Sequence, residues 1–173
     1  MKEVRSPYRL LHPRLVCLIV AKDSKTNVMA LSWITPIEEK IIGISIRKRS
    51  YTYSIIKKTK EFTVNIPSKK MLNKVWIAGT VSGKDTDKLK LLKLELENGI
   101  KISTPHIKNC LGFLECKVIK KIPFEIHNFV IANIVSSFSS NFSNELLKEG
   151  SDILMHVGKK IFCTPSKYFK VKT

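Results

Sequence analysis

The apolar positions of this chain fall into short runs with two different periods. Leu15-Val16-Cys17-Leu18-Ile19-Val20-Ala21 is continuous and rich in β-branched residues, the pattern of a strand buried on both faces. The polar cluster from Lys22 to Asn27 predicts a turn. Val28–Ile34 predicts a second strand, ended by Thr35-Pro36, so that the first two strands form a hairpin. Ile41–Ile46 predicts a third strand. Ser50 stands as the N-cap of a helix over Tyr51–Lys58, with lysines in its last turn, where the helix dipole favours them. Phe62-Thr63-Val64-Asn65-Ile66 returns to strand and stops at Pro67. Ser68 is placed to cap a second helix, whose apolar positions Met71, Leu72, Val75 and Trp76 recur at spacings of three and four. Gly79–Gly83 reads as a loop, and Asp85–Leu92 as a further short helix.

The second half of the chain is mostly strand. Gly112–Ile122 and Asn128–Phe138 are long β-rich segments joined by Pro123–His127. In the latter, Phe129, Ile131, Asn133 and Val135 alternate with Val130, Ala132 and Ile134, so both faces are largely apolar. Asn144–Lys148 predicts a helical turn, and Ile153–Val157 and Lys160–Cys163 two short final strands about Gly158. This makes seven or eight strands with two or three short helices. Successive antiparallel strands with few crossover helices favour a mostly β barrel or sandwich over a doubly wound sheet. No internal repeat or low-complexity linker divides the chain, so residues 1–173 read as a single domain.

Composition adds to this in three places. With 43% apolar and 26% charged residues, the chain is ordinary for a globular protein, which excludes disordered and collagen-like classes. The longest unbroken apolar run is far short of the roughly 18–20 residues of a membrane helix. No signal peptide is visible at the N-terminus, so a cytoplasmic location is expected. Lys and Arg number 31 against 14 Asp and Glu, a formal charge of +17. Such a balance suits anionic partners, although lysines spread along the whole chain also fit a solvated surface. Cys17, Cys110, Cys116 and Cys163 form no C-x-x-C pair, and His12, His106, His127 and His156 are isolated, so no metal site is expected.

The usual catalytic signatures are missing: no nucleophile elbow, no phosphate-binding G-x-x-x-x-G-K-[ST] loop and no G-x-G-x-x-G after a strand. That leaves room for a cofactor that brings its own chemistry. Two segments suit a phosphate. Arg47-Lys48-Arg49-Ser50-Tyr51-Thr52 lies at a strand end that opens into a helix, where free amides, the helix dipole and Arg49 favour an anion. Gly79-Thr80-Val81-Ser82-Gly83-Lys84-Asp85-Thr86-Asp87-Lys88 has two glycines that let backbone approach a ligand, with Ser82, Lys84 and Lys88 as donors. Each also has a plain structural reading, as a capped basic turn and as a helix-start loop. Asn27-Val28-Met29-Ala30-Leu31-Ser32-Trp33-Ile34-Thr35-Pro36 mixes apolar side chains with spaced polar ones, as a flat heteroaromatic ring would require.

Taken in order with Ile42-Gly43-Ile44-Ser45-Ile46 and Phe62-Thr63-Val64-Asn65-Ile66-Pro67, these segments resemble the flavin reductase-like, FMN-binding split-barrel family, in its flavoredoxin branch. The resemblance continues through Leu114-Glu115-Cys116-Lys117-Val118 and covers about Leu11 to Phe162. Ala78 stands where many members carry cysteine, Lys84 where arginine is usual, and the turn Ile37–Lys40 is short. The resemblance implies a six-stranded antiparallel Greek-key split barrel, a homodimer, and one FMN per subunit near the interface. It implies that Asn27, Met29, Ala30, Leu31, Ser32 and Trp33 line the flavin. Arg49, Ser50, Tyr51 and Thr52 then lie at the phosphate or ring edge, Asn65 ends its strand beside the site, and Ser82, Gly83 and Lys88 close over it. Lys88 and Thr52 are expected to tune the flavin without a covalent role, Lys88 as a cation that stabilises the reduced, anionic ring. The implied activity is an FMN-dependent oxidoreductase drawing electrons from NADH or NADPH, or from a redox partner protein. An FMN-binding electron-transfer protein without NAD(P)H oxidation stands beside it. A basic β-barrel binding nucleic acid is the reading from another class; the charge supports it, but no dense basic stripe with interleaved aromatics does.

Overall fold

The computed structural model of the chain describes residues 3–143, 146–165, 167–169 and 171. Strand β1 (Arg14–Leu15) is followed by β2 (Cys17–Lys22), β3 (Thr26–Leu31), β4 (Ile34–Glu38) and β5 (Ile41–Arg47). Helix α1 (Tyr51–Thr59) leads to β6 (Glu61–Ile66), then come α2 (Leu72–Thr80) and α3 (Lys88–Leu92). The rest is β7 (Leu96–Glu97), β8 (His106–Ile107), the long pair β9 (Gly112–Pro123) and β10 (His127–Ser139), and the short strands β11 (Phe142–Ser143), β12 (Leu146–Leu147), β13 (Met155–Gly158) and β14 (Ile161–Cys163).

Seven strands form one antiparallel sheet in the order β3-β2-β6-β9-β10-β5-β4. The edge strands β3 and β4 are consecutive in the chain, with only Ser32 and Trp33 between them. The sheet must therefore curl until its two edges meet, which makes a barrel whose seam is bridged by chain rather than zipped by a ladder. The Ser45 amide donates to the Trp33 carbonyl at 2.8 Å and ties that bridge to β5. β9 and β10 are inserted between β6 and β5, so the β5–α1–β6 connection crosses in Greek-key fashion.

Strand β2 explains the unbroken apolar run that opens the sequence. Cys17, Ile19 and Ala21 point into the barrel with Ile44, Phe62 and Val130. Val16, Leu18 and Val20 point the other way, against Val75 and Ala78 of α2 and Leu92 of α3. A strand buried on both faces loses its visible alternation. Cys17 and Cys116 are buried and Cys110 and Cys163 half-buried, all as free thiols. Burial pushes the Cys17 and Cys110 thiols up to about 12, so neither is a nucleophile at neutral pH.

Several sequence expectations shift. The predicted strand Val28–Ile34 breaks at Ser32, and a separate strand runs on through Thr35-Pro36, because barrel closure needs a corner there. The main sheet thus has seven strands where the resemblance implied six. Gly79 and Thr80 belong to the last turn of α2, not to a loop. Ser68 stands at the N-cap of a 3-10 turn, Lys69–Met71, that starts the helical segment, but its side chain makes no capping bond; it also forms a β-bridge to Ile153. The short helix α3 begins at Lys88, with the Asp87 carboxylate accepting from the Lys90 amide at 3.1 Å. Of the turn expected at Asn144–Lys148, Asn144 and Glu145 lie outside the described residues, and Leu146–Leu147 pairs in an extended ladder with Phe142–Ser143. A 3-10 helix at Pro7–Leu11 has no counterpart in the sequence reading. No helix among the described residues is long and apolar enough to cross a membrane.

Candidate functional site

The start of α1 is built as the sequence suggests. Ser50 is extended, and its hydroxyl accepts from the Tyr53 amide at 3.4 Å. The amides of Tyr51 and Thr52 have no partner among the described residues, as the first turn of a helix dictates. Both therefore remain available to an anion, with the helix dipole behind them. Arg49, one residue before the cap, is exposed and makes no ion pair among the described residues.

Strand β3 runs beside this helix. Asn27, 3% exposed, donates from Nδ2 to the Thr52 hydroxyl at 2.8 Å. The turn after α2 closes from the other side: a Cβ on Gly83 would lie 2.1 Å from Asn27 Oδ1, so only glycine lets the backbone come this close. Asn27, Tyr51, Thr52 and Gly83, drawn from three separate segments, thus meet at one place. A cleft of about 440 Å³ opens here, lined by Thr26, Asn27, Tyr51 and Gly83, with Lys25 and Lys84 as cations and Asp85 and Asp87 on the same rim. Among the described residues β3 pairs with β2 on one side only, so its other edge offers the backbone donors and acceptors of alternate residues along Asn27–Leu31.

The remaining expected residues are spread along that edge. Met29 is half-buried, with the Ser50 hydroxyl 3.5 Å from its sulfur. Ala30, Leu31 and Ser32 line a second, smaller cleft beyond Asn27. Trp33 is half-buried between two rings, with centroids 5.6 Å from Tyr8 and 5.0 Å from His127. Ser82 is exposed and accepts from the Lys84 amide at 3.2 Å, which shapes the turn.

Two of the expected residues are bonded within the protein. Asn65 is fully buried: its Nδ2 donates to the Leu18 carbonyl at 3.0 Å and the Thr63 hydroxyl at 3.1 Å, and its Oδ1 accepts from the Ile107 amide at 2.7 Å. Those bonds tie β6 to β2 and β8, and the cleft is lined without it. Lys88 is 4% exposed and is not among the lining residues either; its ammonium donates to the Ala78 carbonyl at 2.8 Å, one of the orphan carbonyls at the end of α2. Burial brings its pKa down to about 8.

His127 escaped the sequence reading. It is the first residue of β10, paired with Arg47, and its ring lies against Trp33. Burial, and then the charge of Arg47, lower its pKa, so it is neutral at pH 7. An isolated histidine carries no local signal; only the β5–β10 register brings it to Trp33.

Known proteins share this sequence pattern and fold. An uncharacterised protein of Archaeoglobus fulgidus is 36% identical over 135 residues, 77% of this chain and 76% of that one. The crystal structure of flavoredoxin from Methanosarcina acetivorans superposes with a TM-score of 0.88 at 27% identity, covering 99% of this chain and 95% of that one. Flavoredoxin of Desulfovibrio vulgaris (Miyazaki F) shares the fold, with a TM-score of 0.86 at 24% identity over 99% of this chain and 97% of that one. Residues 8–159 match the model of the flavin reductase like domain, and the chain belongs to that family.

Proposed function

We propose that this chain is an FMN-binding oxidoreductase that takes electrons from NADH or NADPH, or from a redox partner protein, and passes them on. The observation that carries this reading is the convergence of Asn27, Tyr51 and Gly83 on one cleft at the edge of β3, with Thr52 buried behind Asn27 and holding it. The cleft suits a flavin mononucleotide on three counts. Gly83 leaves open the space that a side chain would fill. The α1 amides, Arg49, Lys25 and Lys84 form a donor set for a phosphate. The free edge of β3, from Asn27 to Ser32, supplies backbone groups for the polar edge of a planar ring.

When bound, FMN supplies electron-transfer chemistry that no side chain here can. The protein's part is to hold and orient it. Tyr51 and Thr52 present amides to the phosphate. Asn27, fixed by Thr52, turns its Oδ1 toward Gly83. Met29, Ser32 and Trp33 would line the ring. Lys88 acts one step removed: by holding the end of α2 it sets where the Ser82–Lys84 turn lies. It is thus a positioning residue, and its ammonium is also the cation that the resemblance implies near the ring. Its remaining effect on the flavin is electrostatic. The net charge of +17 favours, as a second reading, an acidic protein partner as electron source, with no oxidation of NAD(P)H.

The test is an absorbance spectrum of the purified protein, before and after NADH or NADPH without oxygen. The reading expects a flavin band that bleaches with one of the nucleotides. A band that bleaches only with a reduced protein donor selects the second reading. A colourless protein that takes up no added FMN overturns both.

A further inference from the structure

The β9–β10 hairpin overhangs the barrel on the β6 side. β6 pairs with β9 only as far as Glu61 against Lys117, and the Val118 amide adds one bond to the Lys60 carbonyl at 2.8 Å. From Lys120 to Pro123, β9 is paired with β10 alone among the described residues. The turn beyond is closed by the Phe124 amide, which donates to the His127 carbonyl at 2.9 Å. The Lys48 amide donates to the Ile126 carbonyl at 3.0 Å and braces the turn from the end of β5. The hairpin end is thus held by its own bonds and by β5.

Its side chains are unusual for a solvated turn. Turns favour Gly, Asn, Asp and Ser, which meet water at little cost. Here the tip carries Phe124 and Ile126, 60% and 61% exposed. The surface behind them is basic. Lys120 and Lys121, consecutive on a strand, stand on opposite faces of the hairpin. Arg47 and Lys48 lie beside His127 and Ile126 at the end of β5. All four cations are exposed, and none makes an ion pair among the described residues. Glu125 is the one acid of the turn Pro123–His127. Lysines on an unpaired edge guard it against a further strand, but that role gives no reason for two large apolar side chains at the tip.

An apolar point with a basic collar behind it is complementary to a surface that is negatively charged on top and apolar beneath. A protein partner would need a groove shaped to the tip; a bilayer needs none. We propose that the β9–β10 tip seats the chain on an anionic lipid bilayer. Phe124 and Ile126 enter the headgroup boundary, and Lys120, Lys121, Arg47 and Lys48 meet the charged headgroups. This is attachment to the surface, with no segment crossing the bilayer. It goes beyond the redox reading above and needs neither FMN nor a nucleotide.

The experiment is cosedimentation of the full chain with vesicles of equal parts phosphatidylglycerol and phosphatidylcholine, and with phosphatidylcholine alone. The chain should pellet with the first and stay in solution with the second. A net charge of +17 draws any face of the molecule to an anionic surface, so the variants decide. Phe124→Ser/Ile126→Ser keeps every charge and should weaken binding by about tenfold or more, the loss expected for two inserted apolar side chains. Lys120→Ala/Lys121→Ala should weaken it by about fivefold for each lysine. Lys69→Ala/Lys70→Ala removes equal charge beyond the other end of β6 and should weaken it much less. In Phe124→Trp, the added tryptophan emission should move to the blue with anionic vesicles. The proposal is overturned if the chain does not pellet with anionic vesicles, or if that emission stays in place. Equal binding by parent and Phe124→Ser/Ile126→Ser also overturns it, leaving diffuse charge alone. If that variant binds vesicles like the parent but sediments as a monomer where the parent is a dimer, the tip belongs to a second copy. If it instead loses reduction by a protein donor, the tip belongs to that donor.

Discussion

Glu115 and Lys88 are buried ions with no counter-ion among the described residues; each is held by backbone instead. Glu115 accepts from the Ile100 and Lys101 amides at 2.6 and 2.8 Å, which pins the loop before β8. Lys88 has a consequence for pH. Its pKa falls from 10.5 in the unfolded chain to about 8 in the fold. Between those values the unfolded chain binds more protons, so the contribution of this group to stability rises with pH from about 8 to 10.5 and is flat below 8. Urea midpoints of parent and Lys88→Met should therefore diverge in the parent's favour across that window. A constant difference would show that Lys88 titrates normally. Arg49 tests the phosphate assignment. A charge-assisted hydrogen bond is worth roughly 1.5–3 kcal/mol, so Arg49→Ala should weaken FMN by about tenfold or more; Thr52→Ala keeps the amide and removes the hydroxyl that holds Asn27, so its effect reaches the ligand through Asn27. Riboflavin, which lacks the phosphate, should be affected far less by Arg49→Ala. Equal weakening of both ligands by Arg49→Ala would remove the α1 turn from the phosphate site.

At the scale of elements, the cleft depends on how closely the turn after α2 approaches β3. Gly83→Ala would push a methyl group into Asn27 Oδ1 and either lift the turn or swing Asn27 from Thr52. Because the turn is at the surface, the thermal midpoint should move by only a few degrees, as about 1 kcal/mol would produce. FMN affinity, read by titration, should fall about tenfold with the lost contact. An alanine variant that binds FMN as tightly as the parent would detach this turn from the site. The elements that the sequence made legible are those whose reasons are local. Ser50, the lysines at 57 and 58 and the apolar face of Ile55 and Ile56 define α1 to within one residue. The break at Ser32 was hidden, because the apolar pattern runs straight through it and closure of the barrel is a long-range demand. Pro36 looked like a strand terminator, yet it lies within β4, an edge strand, where a missing amide costs no ladder bond on the open side. The resemblance placed Asn65 at the end of its strand beside the site; sequence cannot say which partners a strand asparagine finds, and in the fold they are Leu18, Thr63 and Ile107. The smaller cleft along β3 was hidden for the same reason, since its Trp76 and Phe162 meet only in the folded chain.

For the whole molecule, the barrel is covered unevenly. Helices α2 and α3 pack against the outside of β2 and β3. Among the described residues, no helix covers the outer surface of β9, β10 and β5 in this way. Phe129 lies over Gly43, whose Cβ would fall 2.1 Å from its ring, and Phe129 and Ile131 are half-buried. Nearby on β9, Ile122 is 36% and Ile119 51% exposed. An apolar sheet face of this kind is expected to meet a second copy of the chain, as the family resemblance also implied. If the flavin cleft is completed by that contact, FMN and association are linked by mass action. Dilution should then release FMN as the dimer parts, and added FMN should shift sedimentation toward the dimer. Charge sets the sign of a further effect. Two copies at +17 each repel, so moderate salt should strengthen an association driven by apolar area. Contacts made mainly by ion pairs would weaken instead. A species that sediments as a monomer at every salt concentration and still holds FMN tightly would place the whole site within one chain.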